Sequence, residues 1–234
     1  MMNNRVHLHH FDVQADLLRT LCDAIIRDLQ KAIEKKGDAV LLVSGGSTPK
    51  PLFELLRKSE IDWARVRIGL CDERWVDPSH DDSNEKLVKT HLLQDKAAKA
   101  QFVGMYCEGL SALEAQAQCN SIVNDELWPC DVAILGMGED AHTASLFPHN
   151  LKLPQAFYLE DDALCIAITP QSAPHVRMSL TLLALLHVKH LYLHFEGEKK
   201  RAVFEEAMNG GDHYAMPIRS VLHQDINDIE VYYA

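Results

Sequence analysis

Ile134-Leu135-Gly136-Met137-Gly138-Glu139-Asp140-Ala141-His142-Thr143-Ala144-Ser145-Leu146-Phe147-Pro148 is the stretch on which the reading of this chain turns. It opens as the end of an apolar run, Val132 to Leu135, with the length and composition of a strand buried on both faces. Gly136 and Gly138 free the backbone to turn sharply and to approach a ligand. Asp140 and His142 follow, with the hydroxyls of Thr143 and Ser145 behind them. Open α/β sheets build their sites in this way, with a buried strand delivering a loop to one edge. Histidine, with an ordinary pKa of about 6.5, is the side chain best suited to take a proton from water near neutral pH. The bland alternative is a tight turn with a capping aspartate and a surface histidine. Two glycines, an acid and a histidine crowded into seven residues favour a site.

Toward the N-terminus, Ala39-Val40-Leu41-Leu42-Val43 reads as a second buried strand and ends in Ser44-Gly45-Gly46-Ser47-Thr48-Pro49. Pro49 is placed to start a helix through Leu52, Phe53, Leu55 and Leu56. Two glycines and three hydroxyls before a helix N-terminus form an anion cradle, with phosphate the preferred ligand. The spacing is not that of a nucleotide P-loop, and the last glycine of a G-x-S-x-G elbow is missing, so Ser47 is a poor nucleophile. A third strand, Val66 to Cys71, leads into Asp72-Glu73-Arg74, which faces the same crevice or forms a plain Glu–Arg ion pair. Asp77 to Ser83 reads as a polar flap, followed by helices over Asn84–Leu93 and Ala112–Leu127 with a short strand, Gln101 to Tyr106, between them.

Upstream, Ala15 to Lys36 carries apolar residues at helical spacing and closes on Gly37. Before it, Arg5 to Phe11 reads as an edge strand whose His7, His9 and His10 are solvated. Downstream of the opening stretch, Leu164 to Ile168 is a strand and Gln171 to Pro174 a turn. Arg177 precedes a helix, Met178 to Leu183, whose first turn would aim the cation into the cleft. Lys189 to Phe195 is a strand followed by Gly197, Lys200 and a helix to Met208. A short helix at Ile218–Leu222 and a strand at Ile229–Tyr233 end the pattern. Gly136 to Ala141 formally matches the dinucleotide fingerprint G-x-G-x-x-[GA], with acids at Glu160 to Asp162 where a ribose-binding acid would fall. Pro148 and Pro154 interrupt the crossover helix that this fingerprint needs, which argues against nicotinamide.

The chain has 234 residues and a formal charge of −11. That charge argues against nucleic acid and anionic membrane partners, so an anionic substrate must be held by a few placed cations. No apolar run approaches the roughly 18 residues of a membrane helix, and Met1 to His10 lacks the apolar core of a signal peptide. Six cysteines without a C-x-x-C pair read as mostly buried free thiols in a reducing cytoplasm. With no linker, repeat or low-complexity run, residues 1–234 are expected to form one domain. The fold expected is α/β, a Rossmann-like, mainly parallel sheet with helices on both faces and a small antiparallel extension.

Taken in order, these motifs resemble the 6-phosphogluconolactonase family, within the superfamily that includes glucosamine-6-phosphate deaminase and ribose-5-phosphate isomerase. The resemblance rests on Ser44 to Pro49, Asp72-Glu73-Arg74 with Val76, Ser83-Asn84, Leu135 to Gly138 with Asp140, His142 to Pro148, Arg177 with Ser179-Leu180-Thr181, and Gly197 with Lys200. It implies hydrolysis of 6-phosphoglucono-δ-lactone to 6-phosphogluconate by water attack on the lactone carbonyl, which needs neither cofactor nor metal. On this resemblance His142 is the general base, oriented by Asp140 or Asp72. Arg74 stabilises the oxyanion or binds phosphate, and Gly45, Gly46, Ser47 and Thr48 hold the phosphate with Arg177 and Lys200. The alternatives are a metal site at Asp140–His142, a deaminase, and a sugar-phosphate sensor without turnover. The deaminase loop carries Asn-Glu where Thr143 to Pro148 does not, and a sensor would carry a basic DNA-binding segment that this chain lacks. The implied partner is a small sugar-phosphate lactone, acted on by a monomer or weak homo-oligomer. Ala141 stands where the family has glycine; if that position takes positive φ, alanine costs roughly a kcal/mol.

Overall fold

β2 (Ala39–Val43) and β6 (Val132–Leu135) are buried at every position in the computed structural model, which describes residues 5–158, 162–171 and 173–234. Successive strand residues point to opposite faces, so a run buried throughout requires cover on both sides of the sheet. The two strands lie side by side and parallel at the centre of a seven-stranded sheet. β3 (Val66–Leu70) and β5 (Gln101–Phe102) extend it on one side, and β9 (His190–Phe195), β10 (Ile229–Tyr233) and β1 (Val6–His10) on the other. Every pairing in this sheet is parallel.

The remaining strands, β4 (Asp72–Arg74), β7 (Cys165–Ile168) and β8 (Arg177–Leu180), form a small antiparallel sheet in the order β4-β8-β7. Only Cys71 separates β3 from β4, so the chain passes directly from one sheet into the other. Arg177 therefore opens a strand and not the helix expected for Met178 to Leu183; the helix is shorter, Leu182–Leu186, and begins at Thr181, whose hydroxyl accepts from the Ala184 N–H. The cause is tertiary. The backbone groups of Arg177 to Leu180 pair with β4 and β7, which outweighs a helical preference read from local sequence.

The 23-residue helix α1 (Gln14–Lys36) lays its apolar face across β2, β6 and β10, and it stops at Gly37, whose N–H donates to the Ile33 carbonyl. The shorter helices α2 (Lys50–Leu56) and α3 (Asn84–His91) follow the first two strand-end loops. α4 (Ala112–Ile122), started by a Ser111–Glu114 capping box, packs on β7. α5 (Leu153–Ala156), α6 (Leu182–Leu186), α7 (Glu198–Met208) and α8 (Arg219–Leu222) complete the helices. The edge position of β1 is as expected, but His9 is not simply solvated: it bonds the Glu230 carboxylate at 2.5 Å and stacks on Tyr232. All six cysteines are buried and free, and burial pushes the Cys71 thiol up to about 12. Glu160, Asp161 and Ser172, which fall in the acid run and the turn noted above, lie outside the described residues.

Candidate active site

From β2 the chain moves outward through β3 to β5, whereas from β6 it moves the other way through β9 to β10. The strand order thus reverses between β2 and β6, and a crevice opens at their carboxyl ends. Both glycine-bearing loops of the sequence, 44–49 and 136–148, leave the sheet there. They line a cleft of about 300 Å³ together with Asp72 and Arg74 of β4, Arg177 of β8, His194 of β9 and Lys200 in the first turn of α7.

Asp140 orients His142. Its Oδ1 lies 2.5 Å from His142 Nδ1 and also accepts from the His142 backbone N–H at 3.2 Å. With Nδ1–H donating to the carboxylate, the lone pair resides on Nε2 of a ring that borders the cleft and packs against Phe147. Burial works to raise the Asp140 carboxyl, but the hydrogen bond and charge of His142 and nearby backbone N–H groups hold it below the usual carboxylate range. The turn behind the pair is closed by Gly138 N–H to the His142 carbonyl and by Ala141 N–H to the Gly138 carbonyl. Gly138 is needed for space: a Cβ there would come within 2.2 Å of His142 Nδ1 and 2.5 Å of Asp140 Oδ1.

Ala141 adopts φ 67°, so the position does take the left-handed backbone that favours glycine. The strain of roughly 1–2 kcal/mol is partly offset by burial of the methyl, worth about 0.8 kcal/mol. Ala141→Gly is therefore expected to be neutral to stabilising by up to about 1 kcal/mol, a melting-temperature gain of up to about 2–4 °C for a chain of this size. A loss of more than about 2 °C in a thermal melt would contradict this reading of the turn.

Asp72, the other candidate to orient the histidine, is engaged elsewhere: its buried Oδ2 accepts from Ser145 Oγ at 2.6 Å. Its carbonyl accepts from Asn84 Nδ2 at 2.8 Å. Asn84 packs so tightly on the first loop that a Cβ at Gly45 would overlap its Oδ1 at 1.8 Å. Glu73 does not form the ion pair with the Arg74 side chain that is the plain reading of Asp72-Glu73-Arg74. Its carboxylate accepts from the N–H groups of Arg74 and Asn84 at 2.7 Å, of Glu85 at 2.8 Å, and from Ser83 Oγ at 3.2 Å. Glu73 thus anchors the start of α3, and burial pushes its carboxyl up to about 7 against these donors.

The antiparallel register sets Arg74 directly opposite Arg177. Like charges facing across a strand pair repel. Burial, followed by the charge of Arg74, pulls the Arg177 guanidinium below its ordinary range. Nη2 of Arg177 donates to the Pro174 carbonyl at 3.1 Å, and its guanidinium lies 5.8 Å from the centre of the Phe147 ring. Both Nε groups are buried and lack a partner, as is Asn84 Oδ1. The two orphaned guanidinium N–H donors, unlike the Asn84 oxygen, suit an anion bound in the cleft. Lys200 reaches in from the other side, its Nζ 3.4 Å from Thr48 Oγ1, and burial lowers its pKa against the pull of Glu139 and Glu196.

Nine of the ten sequence-selected residues border one cleft, and the tenth, Asp140, holds His142 from behind. Sequence reading did not single out His194, which lies buried at the end of β9 with Nε2 3.0 Å from Glu196 Oε1. The available signal was a histidine next to the last residue of a largely apolar strand.

The family model described as glucosamine-6-phosphate isomerases/6-phosphogluconolactonase matches residues 12–230. A 6-phosphogluconolactonase of Rhizobium meliloti is 38% identical over 228 residues, covering 97% of this chain and 98% of the relative. One from Neisseria meningitidis serogroup A is 40% identical over 233 residues, with 97% and 98% covered. The crystal structure of a 6-phosphogluconolactonase from Shewanella baltica superposes with a TM-score of 0.95 at 41% identity, covering 100% of this chain and 99% of that one. With nearly its whole length matched, this chain belongs to the glucosamine-6-phosphate isomerase/6-phosphogluconolactonase family.

Proposed function

We propose that this chain hydrolyses 6-phosphoglucono-δ-lactone to 6-phosphogluconate, a step of the oxidative pentose phosphate pathway. The observation that carries the mechanism is His142, held by Asp140, on a cleft that is also lined by two arginines facing each other. Nε2 of His142 takes a proton from water as the oxygen attacks the lactone carbonyl, and Asp140 stabilises the imidazolium that results. The negative charge that grows on the carbonyl oxygen, and the phosphate at the far end of the substrate, fall to Arg74, Arg177 and Lys200. Gly45, Gly46, Ser47 and Thr48 supply the cradle between them. Collapse of the tetrahedral intermediate opens the ring, and the ring oxygen recovers the proton from His142.

The whole chain works as one domain, a monomer or weak homo-oligomer in the cytoplasm, on a small soluble substrate. A formal charge of −11 supports the absence of a nucleic-acid partner. No helix among the described residues is long and apolar enough to cross a membrane.

The test is a coupled assay with freshly generated lactone, corrected for its spontaneous hydrolysis. Formation of 6-phosphogluconate well above the uncatalysed rate is expected. A rate equal to the spontaneous one, or ammonia release from glucosamine 6-phosphate instead, would overturn the reading.

A further inference from the structure

His80, Asp82 and His175 meet next to Arg74, one of the cleft residues, whose Nη1 donates to the Asp82 carbonyl. His80 and Asp82 belong to the 77–83 loop, whereas His175 lies two residues before Arg177 in the loop that leads into β8. One ligand atom from each lies within 4.8 Å of the other two. A tetrahedral ion with bonds of about 2.0–2.1 Å separates its ligand atoms by about 3.3 Å. Asp82 Oδ2 is 2.9 Å from His175 Nε2 and 3.8 Å from His80 Nδ1, distances that bracket this value.

The protonation pattern also fits. The Asp82 backbone N–H donates to His80 Nδ1 at 3.1 Å, so this nitrogen carries the lone pair of a neutral ring, and an ion bound there would take that lone pair over from the hydrogen bond while the exposed Asp82 N–H turns to water. At His175 the contact with Asp82 is one that a proton now bridges, and a metal ion can take that proton's place. We infer that His80 Nδ1, Asp82 Oδ2 and His175 Nε2 form a binding site for one divalent transition ion of the zinc class, with a fourth position open to solvent. Two imidazoles and one carboxylate suit zinc, cobalt or nickel far better than calcium or magnesium, which prefer all-oxygen shells.

The site would staple two loops that are otherwise joined by the His175–Asp82 contact. Asp82 also presents its carbonyl to Arg74 Nη1 at 2.7 Å, so the ion would sit directly behind one of the cleft's cations. The charge of Arg74 opposes a second cation nearby, but His80 and Asp82 are exposed and solvent screens that repulsion. None of the three ligands has a part in the hydrolysis, so this site and the lactonase reading stand or fall separately.

The experiment is a calorimetric titration of zinc into the full chain after dialysis against a chelator, with cobalt(II) absorption as a second probe. Two variants serve as controls, His80→Gln and His175→Asn. Asparagine suits the latter because His175 has φ 67°, a backbone that asparagine tolerates. The wild type should take up one equivalent of zinc and give the intense visible bands of tetrahedral cobalt. Its melting temperature should rise with zinc. Each variant should bind at least tenfold more weakly, lose the cobalt bands and melt, without metal, as the wild type does. Binding should weaken on acidification as protons compete for the imidazoles. No saturable equivalent in the wild type, or unchanged binding in both variants, would overturn the site.

Discussion

His142→Ala is expected to lower kcat by roughly 10²–10⁴-fold, the size of a general-base contribution. The imidazole borders the cleft, held by the Asp140 carboxylate on one nitrogen with the other left to accept a proton, whereas His194, the second histidine lining the cleft, is tied to Glu196 and almost wholly buried. Binding of 6-phosphogluconate should change little, because the arginines, Lys200 and the 44–49 loop leave from other elements. Loss of product affinity equal to the loss of turnover would mean that the histidine is chiefly a binding group.

Arg177→Ala should act in the opposite sense, with KM raised roughly 10–100-fold and kcat changed far less. Hydrogen bonds to charged groups contribute about 1.5–3 kcal/mol, and contacts made equally in ground and transition states act on KM. Lys200→Ala should follow the same pattern. The Arg177 guanidinium is buried and faces Arg74, and its Nε lacks a partner. Its removal should therefore leave the melting temperature unchanged or slightly higher. A kcat loss with KM unchanged would place Arg177 at the developing oxyanion and not at the phosphate.

The parallel sheet was legible because its strands are short, unbroken apolar runs, such as Val40 to Val43 and Val132 to Leu135, buried on both faces. The small antiparallel sheet was not. Asp72-Glu73-Arg74 has no apolar run, and Arg177 to Leu180 leads into the leucines of α6, so local pattern merged the two. Their pairing is decided by contact across more than a hundred residues, and that same pairing brings the two arginines face to face. The site residues were legible as types at strand ends, but their partners were not. That Asp140 and not Asp72 holds His142 follows from the tight turn through Gly138 and Ala141, and from Ser145 occupying Asp72. Glu73, read in the sequence as facing the crevice or pairing with Arg74, is a buried anchor for α3, a role fixed by Ser83, Asn84 and Glu85 arriving from ten or more residues away.

The central claim is that His142, steadied by Asp140, takes the proton from water. The most direct measurement is the pH dependence of kcat for lactone hydrolysis in the wild type and in His142→Ala, each corrected for the spontaneous reaction. The wild type should lose activity along an acid limb, because the mechanism needs a base free to accept the proton from water. Asp140 lies below the usual carboxylate range and stays ionised through that limb, so it adds no second step. The residual activity of His142→Ala should lack the limb. A variant that keeps most of the wild-type turnover together with the wild-type acid limb would contradict the account and move the base to Asp72.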